Sequence, residues 1–222
     1  MPRTLEPQDA LRLLNGGPVA LVTTRYRKDS DVMPAVWMTQ LSRTPPLIGL
    51  AVNPARHSHD MIRYSEQFAL NFPARDMLNH AHYFGMVSGR EVNKLELAKL
   101  GTFRASKVDA PLIEGCVAWI ECGVDDSFRF GDHTLFVGRV LVVQVEPEAF
   151  DETWTLGDPD YRPLHYLGGD QYATLGQRLT AQLRTSDEGA IELAESQDER
   201  ERREEAETKE RERRQREGES EP

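Results

Sequence analysis

The sequence predicts a mainly β fold, a single antiparallel barrel with helices covering its openings. Short apolar segments of strand-like composition cluster along the chain, without the regular strand–helix alternation of a doubly wound sheet. The 222 residues, 39% of them hydrophobic, are enough for one large domain with its own core. Apolar side chains become scarce near the end of the chain, so we expect that domain to span residues 1–186.

In the first half of the chain, turn and cap signals separate the predicted strands from short helices. Gly16-Gly17 is expected to end the first helix, and Asn53-Pro54 has the N-cap and first-position residues of another. Pro34 cannot donate a ladder hydrogen bond, so its strand is expected at a sheet edge or a bulge. The predicted strands are Pro18–Thr24, Val32–Thr39, Leu47–Val52 and Phe68–Phe72, and the predicted helices are Pro7–Leu14, one beginning at Asn53, Ala74–Met86 and Asn93–Leu100.

The second half is more plainly β. Cys116–Val124 and Ser127–Phe130 read as strands, and a Gly131-Asp132 turn leads into the long strand His133–Val145. Gly138 inside that strand indicates a bulge or bend. The stretch from Thr153 to Gly169 is predicted to be a loop, followed by a helix from about Gln171 to Leu183.

Residues 187–222 form a charged tail. They carry 15 acidic and 8 basic side chains, and so most of the formal net charge of −10. Arg200–Glu217 contains no aromatic or branched aliphatic side chain, so it is expected to be disordered or a solvated helix. An acidic chain of this kind is not a general nucleic-acid binder.

Several other classes are excluded by what the sequence lacks. No apolar run reaches the roughly 18 residues that a membrane-spanning helix needs, and the N-terminus has no secretory pattern. If Cys116 and Cys122 share one strand, they would lie about 20 Å apart, which is too far for a disulfide. Because the chain shows no disulfide framework, we expect a protein of the reducing cytoplasm. The glycine-rich nucleotide loops, the serine hydrolase elbow and the C-x-x-C motif are absent, and two H-x-H pairs are too few ligands to predict a metal site.

Two segments combine turns with cations, as an anion site requires. In Asn53–His59 a helix start offers free backbone N–H groups, Arg56 a bidentate donor and Ser58 a hydroxyl. In the second segment the Ser88-Gly89 turn precedes Arg90 and Lys94. The residues alone leave an alternative open for each segment. The first could be an ordinary capped helix with an exposed arginine and histidine, and the second a helix C-terminus with solvated cations. His133, which leaves a tight turn, could bind a ligand or only hold that turn.

Seven motifs in order resemble the flavin reductase-like group of FMN-binding split barrels, of the flavoredoxin type. The similarity runs from about Pro18 to Gly176. The motifs are Val32–Trp37, Leu41–Leu47, Arg56–Ser58, Phe68–Phe72, Phe84–Lys94, Gly131–His133 with Gly138–Val140, and Leu164–Gly169.

The resemblance implies a Greek-key split β-barrel that forms a homodimer with one FMN near each subunit interface. Ser58 keeps the hydroxyl of the Thr common in relatives, whereas Asp31 and Val36 replace the Asn and the Ser or Thr often found there. In such a site the edge of the flavin ring would be contacted by Trp37, Met38, Thr39 and Gln40. The ribityl chain or phosphate would be bound by Asn53, Arg56 and Ser58, and the phosphate also by Ser88, Gly89, Arg90 and Lys94. His133 would lie near the flavin or nicotinamide face, and the rim of the pocket would include Leu164–Tyr172.

The implied activity is that of an FMN-dependent oxidoreductase that accepts hydride from NADH or NADPH. The acceptor of the electrons would be free flavin, ferric iron or a partner oxygenase. Two alternatives remain at this point: a flavin carrier without enzymatic activity, and a split-barrel relative that binds haem or another ligand. Flavin reduction by a nicotinamide nucleotide distinguishes the enzyme from the carrier.

Overall fold

The structure is a computed structural model that describes residues 10–181, together with residues 7, 183–185, 191–193, 202–206 and 208. The strands are β1 (Ala20–Tyr26), β2 (Asp29–Ala35), β3 (Met38–Arg43), β4 (Pro46–Val52), β5 (Gln67–Pro73), β6 (Thr102–Phe103), β7 (Leu112–Ile113), β8 (Cys116–Phe130), β9 (His133–Val145), β10 (Phe150–Asp151), β11 (Thr153–Trp154), β12 (Leu164–Gly168), β13 (Gln171–Thr174), β14 (Leu183–Thr185) and β15 (Ile191–Leu193). The helices are α1 (Ala10–Leu13), α2 (His57–Ser65), α3 (Leu78–Met86) and α4 (Lys94–Leu97), with 3₁₀ turns at Arg75–Met77 and Pro159–Tyr161.

Seven strands form one antiparallel sheet in the order β2-β1-β5-β8-β9-β4-β3. Its two edge strands, β2 and β3, are consecutive in the chain and are joined by only Val36 and Trp37. The sheet therefore curls until its edges meet at this corner, while within the described residues they do not pair along their length. This arrangement confirms the predicted mainly β, split-barrel class, and Pro34 lies in an edge strand as expected.

Apolar side chains cover both faces of the curled sheet. Val19, which precedes β1, and the first residues of β1 alternate between two cores, so Ala20 and Val22 pack in one and Val19 and Leu21 in the other. The first core also contains Leu50, Phe68 and Phe136 and fills the inside of the curl. The second includes Ala81 and Phe84 of α3, and this helix thereby covers the opposite face.

A close approach in the barrel explains Gly138. A β-carbon at this position would lie 2.5 Å from Cζ of the fully buried ring of Phe68. Opposite Gly138 the irregularity lies in the neighbouring strand β8, which bulges at Asp125, between the pairs Val124–Gly138 and Asp126–Val137. The predicted strands Cys116–Val124 and Ser127–Phe130 are thus one bent strand.

Two predicted boundaries near the corner are wrong. Val32–Thr39 is interrupted at Val36–Trp37, where the chain passes from one sheet edge to the other. The helix expected at Asn53 begins at His57, with Arg56 as its N-cap residue. Asn53 instead closes a preceding turn, in which its Oδ1 accepts a hydrogen bond from the amide of Ala55 at 2.8 Å.

The stretch predicted to be a loop and a helix contains a β-hairpin. β12 and β13 pair antiparallel, with the rings of Tyr166 and Tyr172 opposite each other at 5.3 Å. Gly168 and Gly169 have φ values of 130° and 60°, which allow the turn that reverses the chain there. The predicted helix Gln171–Leu183 is therefore wrong, since Gln171–Thr174 is strand β13, residues 175–181 form no helix and Leu183 begins β14.

Contacts within the chain divide it into two units, Met1–Gln177 and Arg178–Pro222. In the second unit β14 pairs with β15, and residues 202–206 form an exposed helical turn. Most of the predicted tail, residues 187–222, lies outside the described residues, and its boundary at residue 186 stays a prediction. None of the helices in the described ranges is long and apolar enough to cross a bilayer.

Candidate functional site

An open cavity of about 670 Å³ lies beside the corner that joins β2 to β3. This volume is in the range typical of sites for small molecules and cofactors. One wall is apolar and includes Pro34, Val36, Val52 and Phe84. The predicted site residues that line the cavity are Trp37, Asn53, Arg56, Ser58, Ser88, Gly89, Lys94 and His133.

The N-terminus of α2 faces the polar end of this cavity. Arg56 is the N-cap residue with extended backbone, and Ser58 lies in the first turn. The His59 amide donates to the Arg56 carbonyl at 3.2 Å, whereas amides at the very start of a helix have no acceptor within it, and the helix dipole places partial positive charge at this end. This end of the cavity can therefore bind an anion or a polyol.

A buried ion pair lies beside this helix start. Lys94 is 5% exposed and Asp31 is 3% exposed, and 3.4 Å separates Nζ of Lys94 from Oδ1 of Asp31. Ser58 Oγ donates a hydrogen bond to Oδ2 of Asp31 at 2.6 Å, and the lysine also donates to the carbonyls of Val32 and Phe84. Burial lowers the pKa of Lys94, and the adjacent Asp31 carboxylate opposes that shift. We call Asp31, Ser58 and Lys94 the buried polar cluster.

The loop before α4 closes over this cluster. Gly89 packs directly on Asp31, because a β-carbon at Gly89 would lie 2.2 Å from Oδ1 of the carboxylate. Arg90, in contrast, does not line the cavity: its guanidinium donates to the carbonyl of Ala55 at 2.8 Å and to Asp60 at 2.7 Å. Arg90 therefore braces the turn before α2 from outside, and its direct contact with a cofactor stays a prediction.

Trp37 and His133 stand together at the cavity wall. Their rings are 4.6 Å apart between centroids and tilted by 35°, and 43% of Trp37 is exposed. His133 Nδ1 lies 2.9 Å from Oδ1 of Asp132, and this hydrogen bond lowers the pKa of the aspartate. Two adjacent rings, one of them fixed by a carboxylate, provide a surface on which a flat heterocycle can stack.

Three of the residues predicted to contact the edge of the flavin ring do not line this cavity. Met38, Thr39 and Gln40 begin the edge strand β3 and pair with β4, and they are not among the residues that line the cavity. Sequence reasoning missed Asp31 as a site residue, although its difference from relatives was visible. Its contacts with α2 and α4 join parts of the chain that are 27 and 63 residues away, which no local pattern shows.

The residues present fit a flavin nucleotide. An isoalloxazine ring requires a mainly apolar slot with an aromatic neighbour, which the Val36 wall and Trp37 provide. A ribityl chain and phosphate require donors at the other end, and the N-terminus of α2 with Arg56 provides them. Asp31 is the one feature that does not suit an anionic tail.

Sequence comparison agrees with this geometry. The sequence model of the family described as "Flavin reductase like domain" matches residues 13–175. An uncharacterised protein of Pyrococcus abyssi is 35% identical over 143 residues, which are 64% of this chain and 82% of that protein. A flavin reductase of Pseudomonas putida is 29% identical over 110 residues, 50% of this chain and 61% of that enzyme.

Comparison of structures points the same way. The crystal structure of an FMN-binding protein from Thermus thermophilus, with bound p-hydroxybenzaldehyde, superposes with a TM-score of 0.70 at 30% identity. The match covers 82% of this chain and 99% of the Thermus protein.

Proposed function

Because the chain belongs to the flavin reductase-like domain family, we propose that it binds FMN and catalyses the reduction of this flavin by NADH or NADPH. The electrons would then pass to free flavin, ferric iron or a partner oxygenase. One observation carries the proposal: the cavity combines an apolar slot with an aromatic mouth and a helix N-terminus at its polar end. We also propose that the protein acts in the cytoplasm.

The residues of this chain have separate parts in the proposed mechanism. FMN, when bound, supplies the redox chemistry, as flavins do in other oxidoreductases. Arg56 and the first-turn amides of α2 bind and orient the polar end of the cofactor. Trp37 and His133 would contact the nicotinamide at the mouth of the cavity, and the Asp132 carboxylate forms a hydrogen bond with the imidazole that orients it. Stacking at this mouth accounts for hydride transfer without a separate dinucleotide-binding domain.

An absorption spectrum of the purified protein tests the proposal. FMN added to the protein should show a shifted flavin spectrum, and anaerobic addition of NADPH or NADH should bleach its band near about 450 nm as hydride enters the ring. Binding of FMN without bleaching would refute the proposed reductase activity and would leave the alternative of a flavin carrier. Haem binding in place of flavin would refute both.

His133→Ala separates catalysis from binding. An interaction made mainly in the transition state lowers kcat and kcat/KM together. The variant should therefore keep its FMN but be reduced more slowly in anaerobic stopped-flow. His82→Ala is the matched control, because His82 is a half-buried histidine outside the cavity that contacts Tyr172. Equal reduction rates in the two variants would remove His133 from the mechanism.

We further propose that the chain forms a homodimer through the outer face of β9. Leu141, Val143 and Val145 alternate along this strand and are 43%, 56% and 37% exposed. A row of exposed apolar side chains of this kind is typical of an interaction surface. Val143→Glu should convert the dimer to a monomer in light scattering after size exclusion, whereas a monomeric wild-type protein would refute the proposal.

A further inference from the structure

Three residues predicted to hold a phosphate are already engaged by an anion of the protein itself. The Ser58 hydroxyl donates to Asp31 at 2.6 Å, and the Lys94 ammonium lies 3.4 Å from the same carboxylate. The backbone of Gly89 packs against it closely enough to exclude any side chain. Asp31 thus has the contacts that the predicted site would give to a phosphate.

The charge at this end of the cavity is consequently compensated. Lys94 is buried with its ammonium directed to Asp31 and two backbone carbonyls. Oδ1 of Asp31 faces the Lys94 ammonium at 3.4 Å and Oδ2 accepts from Ser58, and the carboxylate lines the cavity. A phosphate placed here would find the Lys94 ammonium already neutralised by Asp31, and it would lie beside the negative charge of that carboxylate. Arg56 on the rim would be left to attract it.

We propose that Asp31 sets the flavin specificity of the cavity, because its carboxylate takes the place of the cofactor's phosphate in the buried polar cluster. This proposal rests on the function proposed above and concerns the same site. Flavins are then held by their ring and ribityl chain, so the protein binds riboflavin at least as tightly as FMN.

Titration of the flavin-free protein with FMN and with riboflavin, followed by quenching of flavin fluorescence, tests this. In the wild type the Kd for FMN should equal or exceed the Kd for riboflavin. Asp31→Asn removes the charge while keeping an acceptor for Ser58, and it should tighten FMN about tenfold relative to riboflavin, as expected for one charge-assisted contact to a phosphate.

Asp29→Asn is the matched control. It makes the same chemical change on the same strand, two residues away, at an exposed side chain that does not line this cavity. Its ratio of FMN to riboflavin affinity should stay within about twofold of the wild type, because exposed charges are screened by salt. Melting curves establish that each variant is folded. Asp31→Ser, which also removes the charge, gives a second measurement where the asparagine variant does not fold.

Each outcome decides the matter. FMN binding about tenfold tighter than riboflavin in the wild type would overturn the proposal, and this measurement needs no variant. An unchanged affinity ratio in folded Asp31→Asn would overturn it also, and would limit Asp31 to holding Lys94 and Ser58 in place. If the folded wild type binds neither flavin, the proposed function fails and the specificity proposal with it. If both flavins bind and Asp31→Asn leaves the ratio of FMN to riboflavin affinity unchanged, only the specificity proposal fails.

Discussion

Removal of the Lys94 ammonium should destabilise the fold more than any exposed charge. In Lys94→Met a side chain of similar length fills the same space, but the buried Asp31 carboxylate loses its cation and the carbonyls of Val32 and Phe84 lose a donor. Deleting one partner of a buried ion pair typically costs about 3–5 kcal/mol, because the remaining charge stays buried without compensation. We expect a loss of that size in the free energy of unfolding.

Urea unfolding and thermal melting measure this loss. At about 2–4 °C per kcal/mol for a chain of this size, the melting temperature should fall by roughly 6–20 °C. Arg75→Met is the matched control, because Arg75 forms an exposed ion pair with Asp160 at 3.2 Å. Exposed pairs contribute about 0–1 kcal/mol, so the control should melt close to the wild type.

A double variant tests whether the lost energy comes from the stranded carboxylate. Lys94→Met combined with Asp31→Asn leaves no charge in the buried polar cluster, so it should be more stable than Lys94→Met alone, with a coupling energy of about 1–3 kcal/mol. A single variant within about 1 kcal/mol of the wild type would refute the reasoning. It would mean that water or a rearranged loop solvates Asp31 once the lysine is gone.

Three further outcomes follow from the same structure. Gly138→Ala should destabilise by about 1–3 kcal/mol in urea unfolding, because its β-carbon would overlap Phe68, and Phe68→Leu should rescue it in part. Burial raises the pKa of Cys122 to about 12 from 9.0, with Glu121 adding to the shift. The unfolded chain therefore releases this proton first, and Cys122 should lower the free energy of unfolding above pH 9 by up to about 1.4 kcal/mol per pH unit. Burial raises the pKa of Cys116 in the same way, so Cys122→Ala should remove only its own part of this slope between melts at pH 8 and 10.5. Deletion of residues 187–222 should leave FMN affinity and the melting temperature unchanged, because the deleted segment is rich in charge and poor in apolar side chains. Loss of FMN on deletion would contradict the assignment of this segment as a solvated tail.

Local patterns predicted the strands of the sheet well but not the hairpin at the end of the first unit. Pro18–Thr24 was recognisable because its apolar run is buried, and His133–Val145 because it is long and rich in β-branched residues, although part of it is exposed. The β12–β13 hairpin is stabilised instead by the facing rings of Tyr166 and Tyr172 and by contacts with distant residues, such as the hydrogen bond from His165 to the carbonyl of Gly16. Such pairings depend on the tertiary fold, so a short mixed sequence gives no periodic signal for them.

The candidate site shows the same division. The turn residues Ser88-Gly89 and the helix start at Arg56 have composition signals, and the structure places them around one cavity. Asp31 has none, because its effect arises only when β2, α2 and α4 are packed together. Sequence reasoning therefore identified the residue types suited to an anion, and the structure showed that a carboxylate of the protein is already among them.

The position of the cavity follows from the way the sheet closes. Edge strands present unpaired backbone groups, and here the two edges, β2 and β3, are tied together only through Val36 and Trp37. Helices α2, α3 and α4 all contact β2, so that edge is covered, and the gap beside the corner stays open as a cavity. Trp37 is held at this mouth because its carbonyl accepts a hydrogen bond from the amide of Ala51 at 2.9 Å. The split that leaves the barrel incomplete is thus also what positions an aromatic wall opposite a helix N-terminus, the pairing on which the proposed flavin binding depends.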